Sequence, residues 1–246
     1  MSLVTQNPQR LNGFVPKTSE PLSQKSCFET PDIACYTLNT MKTISKYIPR
    51  FLLFVYAVVF TWGAIEPSSR AVWKVENGPI FAIALILTVL YIRGTRFSNL
   101  SYILMSVLLI WHTIGGHYTF ELVPFDWFSD MFGFERNMYD RIGHFSVGFY
   151  AFPIFEYLLR SGKMSRPLAY AFGLFTIAFV AMGYELVEWI YAVMSDPTAG
   201  AAFLGSQGDI WDAQKDMAMD TLGALVMIPL HMVLRGGKDL PENRGN

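Results

Sequence analysis

Apolar residues fall into six runs, 47–65, 79–92, 100–116, 144–159, 168–193 and 217–234, separated by short polar stretches. Most approach the ~20 residues that a helix needs to cross about 30 Å of hydrocarbon, so the pattern predicts about six transmembrane helices. The run 79–92 is short; it either begins upstream at Trp73 or forms a tilted or partly re-entrant segment. Residues 1–40 carry Pro, Ser, Thr and Asn without apolar periodicity and read as a disordered polar tail. Met41-Lys42 looks like an ordinary bacterial membrane-protein start, so 1–40 is either such a tail or the product of an upstream start codon. A cleavable leader fits less well, because the first apolar run is longer than a usual leader core. The expected organisation is a tail over 1–40, a membrane domain over 41–236 and a short cytoplasmic tail over 237–246.

Composition supports an all-α polytopic bundle: the chain is 52% hydrophobic and 16% charged, against about 25% charged in an ordinary soluble domain. Lys42, Lys46 and Arg50 precede the first run, and Arg93 and Arg96 follow the second. Arg160, Lys163 and Arg166 follow the fourth, and Arg235 and Lys238 the sixth, whereas acids dominate the other connections. That alternation predicts an even number of spans with both termini cytoplasmic. A net charge of -1, with no basic stripe or phosphate-binding loop, gives no reason to expect a nucleic-acid partner. Both cysteines, Cys27 and Cys35, lie in the leading tail, so no cysteine metal site is available in the membrane body.

The polar residues inside the apolar runs collect toward one side. Asp209, Asp212, Asp216 and Asp220 are spaced to form a stripe on one helix face. Their mutual repulsion calls for a cation, for Lys215, for an arginine from another segment, or for a protonated member. N-capping accounts for Asp209 or Asp212 but not for all four. Asp140 and His144 are four apart, the spacing at which a carboxylate orients an imidazole or both reach one cation; Arg141 between them is a partner for the aspartate stripe. Glu185 and Glu188 sit inside the fifth run, where charge is expensive unless it faces a bundle interior or cavity. His112 and His117 end the third run. Asn77 and Pro79 read as the cap and first turn of the second helix, Trp62 and Trp73 as interfacial anchors, and the aromatic loop 119–139 as lying on the membrane surface. His231, near the other end, stands apart from this group.

The segments WHTIGGHY, YDRIGHF, YELVEW and GDIWDAQKDMAMDTLGA, in this order and spacing, resemble the bacterial YjdF-like inner-membrane family. DRIGHF and the final aspartates are more distantly similar to the VanZ-like group, which is associated with glycopeptide-antibiotic resistance. Asp220 stands where that group suggests Asn, and Lys215 where it suggests Arg. The resemblance implies a multi-pass membrane protein and supplies no reaction.

Histidines with carboxylates and no cysteine make a ligand set for zinc, manganese, iron or magnesium. One reading is a metal-dependent hydrolase or transferase acting on a lipid or envelope substrate, with His112, His144, Asp216 and Asp220 as ligands and Glu185 or Glu188 as general base. His117, Asp140, Arg141, Asp209, Asp212 and Gln214 are further site candidates. Neither H-E-x-x-H nor H-x-x-x-H occurs. A structural or envelope-stress-related protein with an ionic network, or a proton-coupled transporter, stays open beside it. The oligomeric state is not set by the sequence, since small-residue faces such as Gly143 to Gly148 serve internal or external packing alike.

Overall fold

The computed structural model describes residues 33–194 and 206–235, with side chains over 45–194 and 207–234. Most of the leading tail with Cys27, the connection 195–205 and the closing tail 237–246 lie outside the described residues. Among the described residues every regular element is helical: α1 (Ile33–Gly63), α2 (Arg70–Ile92), α3 (Asn99–Tyr118), α4 (Asp126–Phe132), α5 (Tyr139–Val147), α6 (Ala151–Arg160), α7 (Arg166–Met194) and α8 (Asp212–Arg235). Four of them, α2, α3, α7 and α8, are long and apolar enough to cross a membrane. The protein is an all-helical, polytopic membrane protein. The described part of α1 carries Lys46, Pro49 and Arg50 beside its apolar run and falls outside these four. The described part of α1 runs unbroken from Ile33 to Pro49, with no glycine or proline between them.

Two boundaries differ from those expected. α2 starts at Arg70, capped by Ser69, whose hydroxyl accepts the Val72 N–H at 3.4 Å. Asn77 and Pro79 therefore lie inside the helix, and Asn77 Nδ2 donates to the Trp73 carbonyl at 3.2 Å instead of capping. The upstream start lengthens the weak run 79–92 to 23 residues, about 34 Å of helix. The fourth run is divided between α5 and α6 by a 3₁₀ turn at Gly148–Tyr150. The backbone stays right-handed throughout, with φ, ψ of -58°, -41° at Val147, -56°, -23° at Gly148 and -59°, -36° at Ala151. Pro153 explains the tightening: its ring excludes an α-helical bond to the Phe149 carbonyl.

α8 packs against α5, the 3₁₀ turn, α6 and α7, and α2 packs on α3. One apolar core joins Phe152, Phe155 and Leu159 of α6 to Tyr170 and Ile177 of α7 and Met227 of α8. A second joins Tyr56 of α1 to Ile80 and Ala84 of α2 and Leu108 and Leu109 of α3. Exposed Phe175, Phe179 and Val180 give α7 an apolar outer face suited to lipid tails.

Two contacts set how the helices meet. A Cβ added to Gly148 would strike the backbone of Gly223 and Ala224, and one added to Gly223 would strike the Phe145 carbonyl. Only hydrogen at both positions lets the 3₁₀ turn and α8 touch backbone to backbone. At the other end of the α5–α6 path, fully buried Glu156 accepts the Ser98 N–H at 2.8 Å, the Ser98 hydroxyl at 2.9 Å and the Ser101 hydroxyl, and pairs with Arg160. This fixes α6 to the capped start of α3.

Candidate functional site

The glycine contact determines the site. Gly148 lies one turn beyond His144 and Gly223 just under a turn beyond Asp220, so the polar faces of α5 and α8 are held opposite each other. His144 Nδ1 lies 3.2 Å from Asp220 Oδ1. Its other nitrogen, Nε2, lies 3.7 Å from Asp140 Oδ1 and 3.7 Å from Asp216 Oδ1. Those separations exceed a hydrogen bond. They suit ligands that share an ion, since bonds of 2.0–2.2 Å around a tetrahedral metal put donors about 3.3–3.6 Å apart. One donor atom each from Asp140, His144 and Asp216 lies within 4.8 Å of the others.

The start of α5 is fixed by α3. Trp111 stacks on Tyr139 with centroids 4.3 Å apart; Trp111 Nε1 donates to the Tyr139 carbonyl at 3.0 Å and the Tyr139 hydroxyl to the Trp111 carbonyl at 2.9 Å. Asn137 Oδ1 accepts the Tyr139 N–H at 3.0 Å, so the helix begins on an Asx turn.

Three cations offset the aspartate stripe. Buried Arg141 pairs with Asp216 through Nη1 and with Asp212 and Asp209 through Nη2, and donates to the Asp212 carbonyl at 3.1 Å. Arg136 reaches Asp212 at 2.7 Å and Asp209 at 3.2 Å. Lys215 Nζ bonds Asp209 at 2.7 Å. With the Trp211 N–H, that ammonium holds the Asp209 carboxyl down at about 2. Gln214 is exposed, half a turn away from the face carrying Asp212 and Asp216.

His112 does not join His144, Asp216 and Asp220. Its Nε2 lies 3.7 Å from Glu76 Oε2, and the Tyr184 hydroxyl donates to the same oxygen at 2.9 Å. This second group bridges α2, α3 and α7. His117 is further away in role: Nδ1 lies 3.0 Å from the Gly63 carbonyl and its ring packs on Trp62 at 4.5 Å, tying α3 to α1. Glu185 and Glu188 line an open cleft of about 270 Å³ between α7 and α8, beside Asp212 and with Met182, Leu186, Trp189 and Met217 at its walls. Among the described residues neither glutamate has a hydrogen-bond or ion-pair partner.

Residues 48–236 match the family described as "Predicted membrane protein (DUF2238)". The chain belongs to this family. It is 29% identical over 191 residues to "Inner membrane protein YjdF" of Escherichia coli (strain K12), a stretch covering 76% of this chain and 90% of the relative. No solved structure matches. All the groups described above lie within the span that matches the family.

Glu76, Arg136 and Tyr184 are the site residues that sequence reasoning missed. Glu76 falls within a helix only if the run 79–92 begins upstream, as the start at Trp73 allows; Val72, Trp73 and Ile80 repeat at helical spacing around it. Tyr184 adjoins Glu185 in a polar step of α7 whose only marked signal in the sequence is its acids. Arg136 carries no local pattern.

Proposed function

We propose that the protein is a metal-dependent hydrolase or transferase of the bacterial inner membrane, acting on a lipid or lipid-linked envelope substrate from the periplasmic side. The observation that carries this reading is His144 Nε2, 3.7 Å from both Asp140 and Asp216, with Asp220 on the opposite ring nitrogen. A carboxylate on the far nitrogen is the usual support of a ligating histidine, because it fixes the tautomer and raises basicity. Zinc, manganese or magnesium fits the N and O donors; zinc would lower the pKa of a bound water to about 7.

The chain's own residues then divide the work. Asp220 holds the imidazole so that Nε2 faces the two carboxylates. Arg141 aligns Asp216 and keeps the stripe neutral enough to fold. Glu188 or Glu185, unpaired in the cleft beside Asp212, takes the proton of the attacking water or hydroxyl. The apolar walls of the cleft admit a substrate from the lipid side. The Lys and Arg pattern supports a periplasmic placement of this end, with both termini cytoplasmic and six spans.

A second reading has its own observation. Arg136, Arg141 and Lys215 already pair with Asp209, Asp212 and Asp216, as in a purely structural network that ties α5 to α8. Elemental analysis of detergent-purified protein separates the two. About one metal per chain, lost in folded His144→Ala and Asp216→Asn variants, is expected. A preparation without metal after supplementation with zinc, manganese and magnesium leaves the structural network.

A further inference from the structure

α1 touches α3 closely at Gly63 and parts from it over residues 49–56. A Cβ added to Gly63 would lie 3.3 Å from Thr113 Cγ2, and His117 holds the Gly63 carbonyl at 3.0 Å. Toward the end where α2 finishes and α3 starts, the three helices part around an open groove of about 90 Å³. Leu52, Leu53, Leu87, Met105 and Leu109 form much of its wall. Apolar walls exclude water, and an unfilled gap forfeits the dispersion contacts of every atom lining it. In a bilayer the medium available to fill it is hydrocarbon.

The rim adds charge. Arg50 and Tyr91 line the groove, and the Arg96 guanidinium lies over the Tyr91 ring, 3.8 Å from its centroid. Among the described residues neither arginine has a carboxylate partner. Arg96 Nη1 donates to the Tyr91 and Thr95 carbonyls, which leaves its other N–H groups for an anion; two guanidinium groups without a carboxylate partner, beside an apolar slot at a helix end, match a phosphate joined to an acyl chain. We infer that this groove is a binding site for one anionic phospholipid, with a chain between α1, α2 and α3 and its phosphate held by Arg50 and Arg96. The site lies at the end of the bundle opposite His144 and is independent of the proposed chemistry.

Native mass spectrometry of the full chain, equilibrated in micelles with phosphatidylglycerol or phosphatidylcholine of equal chain length, tests it. The expected result is one retained phosphatidylglycerol per chain, at least ten-fold preferred over phosphatidylcholine. Arg50→Gln with Arg96→Gln should remove the preference and leave weak retention of both. Leu53→Trp, which fills the groove from the exposed side of α1, should abolish retention while circular dichroism shows unchanged helix content. Equal retention of the two lipids by the parent protein, retention surviving Leu53→Trp, or a dimer whose formation Leu53→Trp blocks would overturn the assignment.

Discussion

Gly148 and Gly223 bring two helices together without a side chain between them: a Cβ on Gly223 would stand 3.2 Å from the Gly148 Cα and closer still to the Phe145 carbonyl. Because the opposing atoms are backbone, they cannot swing aside. Gly223→Ala should therefore destabilise the bundle by about 3 kcal/mol, at the upper end of ordinary overpacking. Ser146→Ala on α5, outside this contact, should change stability far less. Thermal unfolding in detergent followed by tryptophan fluorescence distinguishes these outcomes; equal melting temperatures for parent and Gly223→Ala would show that the helices do not touch there.

Arg141 is buried among Asp209, Asp212 and Asp216. Arg141→Leu leaves these carboxylates short of a partner and should lower stability by about 3–5 kcal/mol. Adding Asp212→Asn and Asp216→Asn should recover most of that loss. Denaturant-induced unfolding of the single and triple variants measures the recovery, and a triple variant no better than the single would mean that the guanidinium acts by packing instead.

Asp216 and Asp220 stand on one helix face but in different positions toward His144. In the metal reading, Asp216→Asn removes a ligand and should abolish binding, whereas Asp220→Asn removes the support of the imidazole and should weaken affinity about 10–100-fold. Titration of zinc into chelator-treated protein by calorimetry gives both numbers. Identical effects of the two substitutions would contradict the assigned division of roles.

Much of the architecture was readable from the apolar runs because crossing a bilayer demands about 20 apolar residues, a signal that needs no tertiary information. The two misplaced boundaries arose at prolines. Pro79 sits inside α2 where it looked like a start, and Pro153 tightens a helix whose apolar run shows no break. The facing of Asp140 and His144 against Asp216 and Asp220 combines two local spacings of four, each visible in sequence, with a register that depends on Gly148 and Gly223. That register is a long-range property and left no local trace. His112 resembles His144 in chemical type alone; the start of α2 places Glu76 beside it.

The Tyr184 hydroxyl donates to Glu76 at 2.9 Å between α7 and α2. Tyr184→Phe strips a buried carboxyl group of a donor and should cost about 1–3 kcal/mol. Glu76→Gln retains an acceptor for the hydroxyl and should cost less. Melting curves of both variants measure the difference, and a Tyr184→Phe variant as stable as the parent would deny the contact.

Asp209 and Lys215 give a pH signature near the surface. The folded carboxyl is held at about 2, below the ~3.9 of an unfolded aspartate, so its contribution is present above pH ~4 and disappears as pH falls through about 2. Lys215→Met should melt slightly below the parent at pH 6, and the gap should close on acidification. A gap that is constant with pH would assign the effect to the lysine stem. High salt should narrow the gap as well.

The 3₁₀ turn at Gly148–Tyr150 also changes the angular phase of the helical path through α5 and α6. Each 3₁₀ residue advances about 120° instead of 100°, so three residues add about 60° of rotation. Over the twelve steps from His144 to Glu156, an unbroken α-helix would separate the two side chains by about 120° in azimuth; the turn brings this to about 180°. One path can thus direct an imidazole toward α8 and, from its opposite side, a carboxylate toward the start of α3.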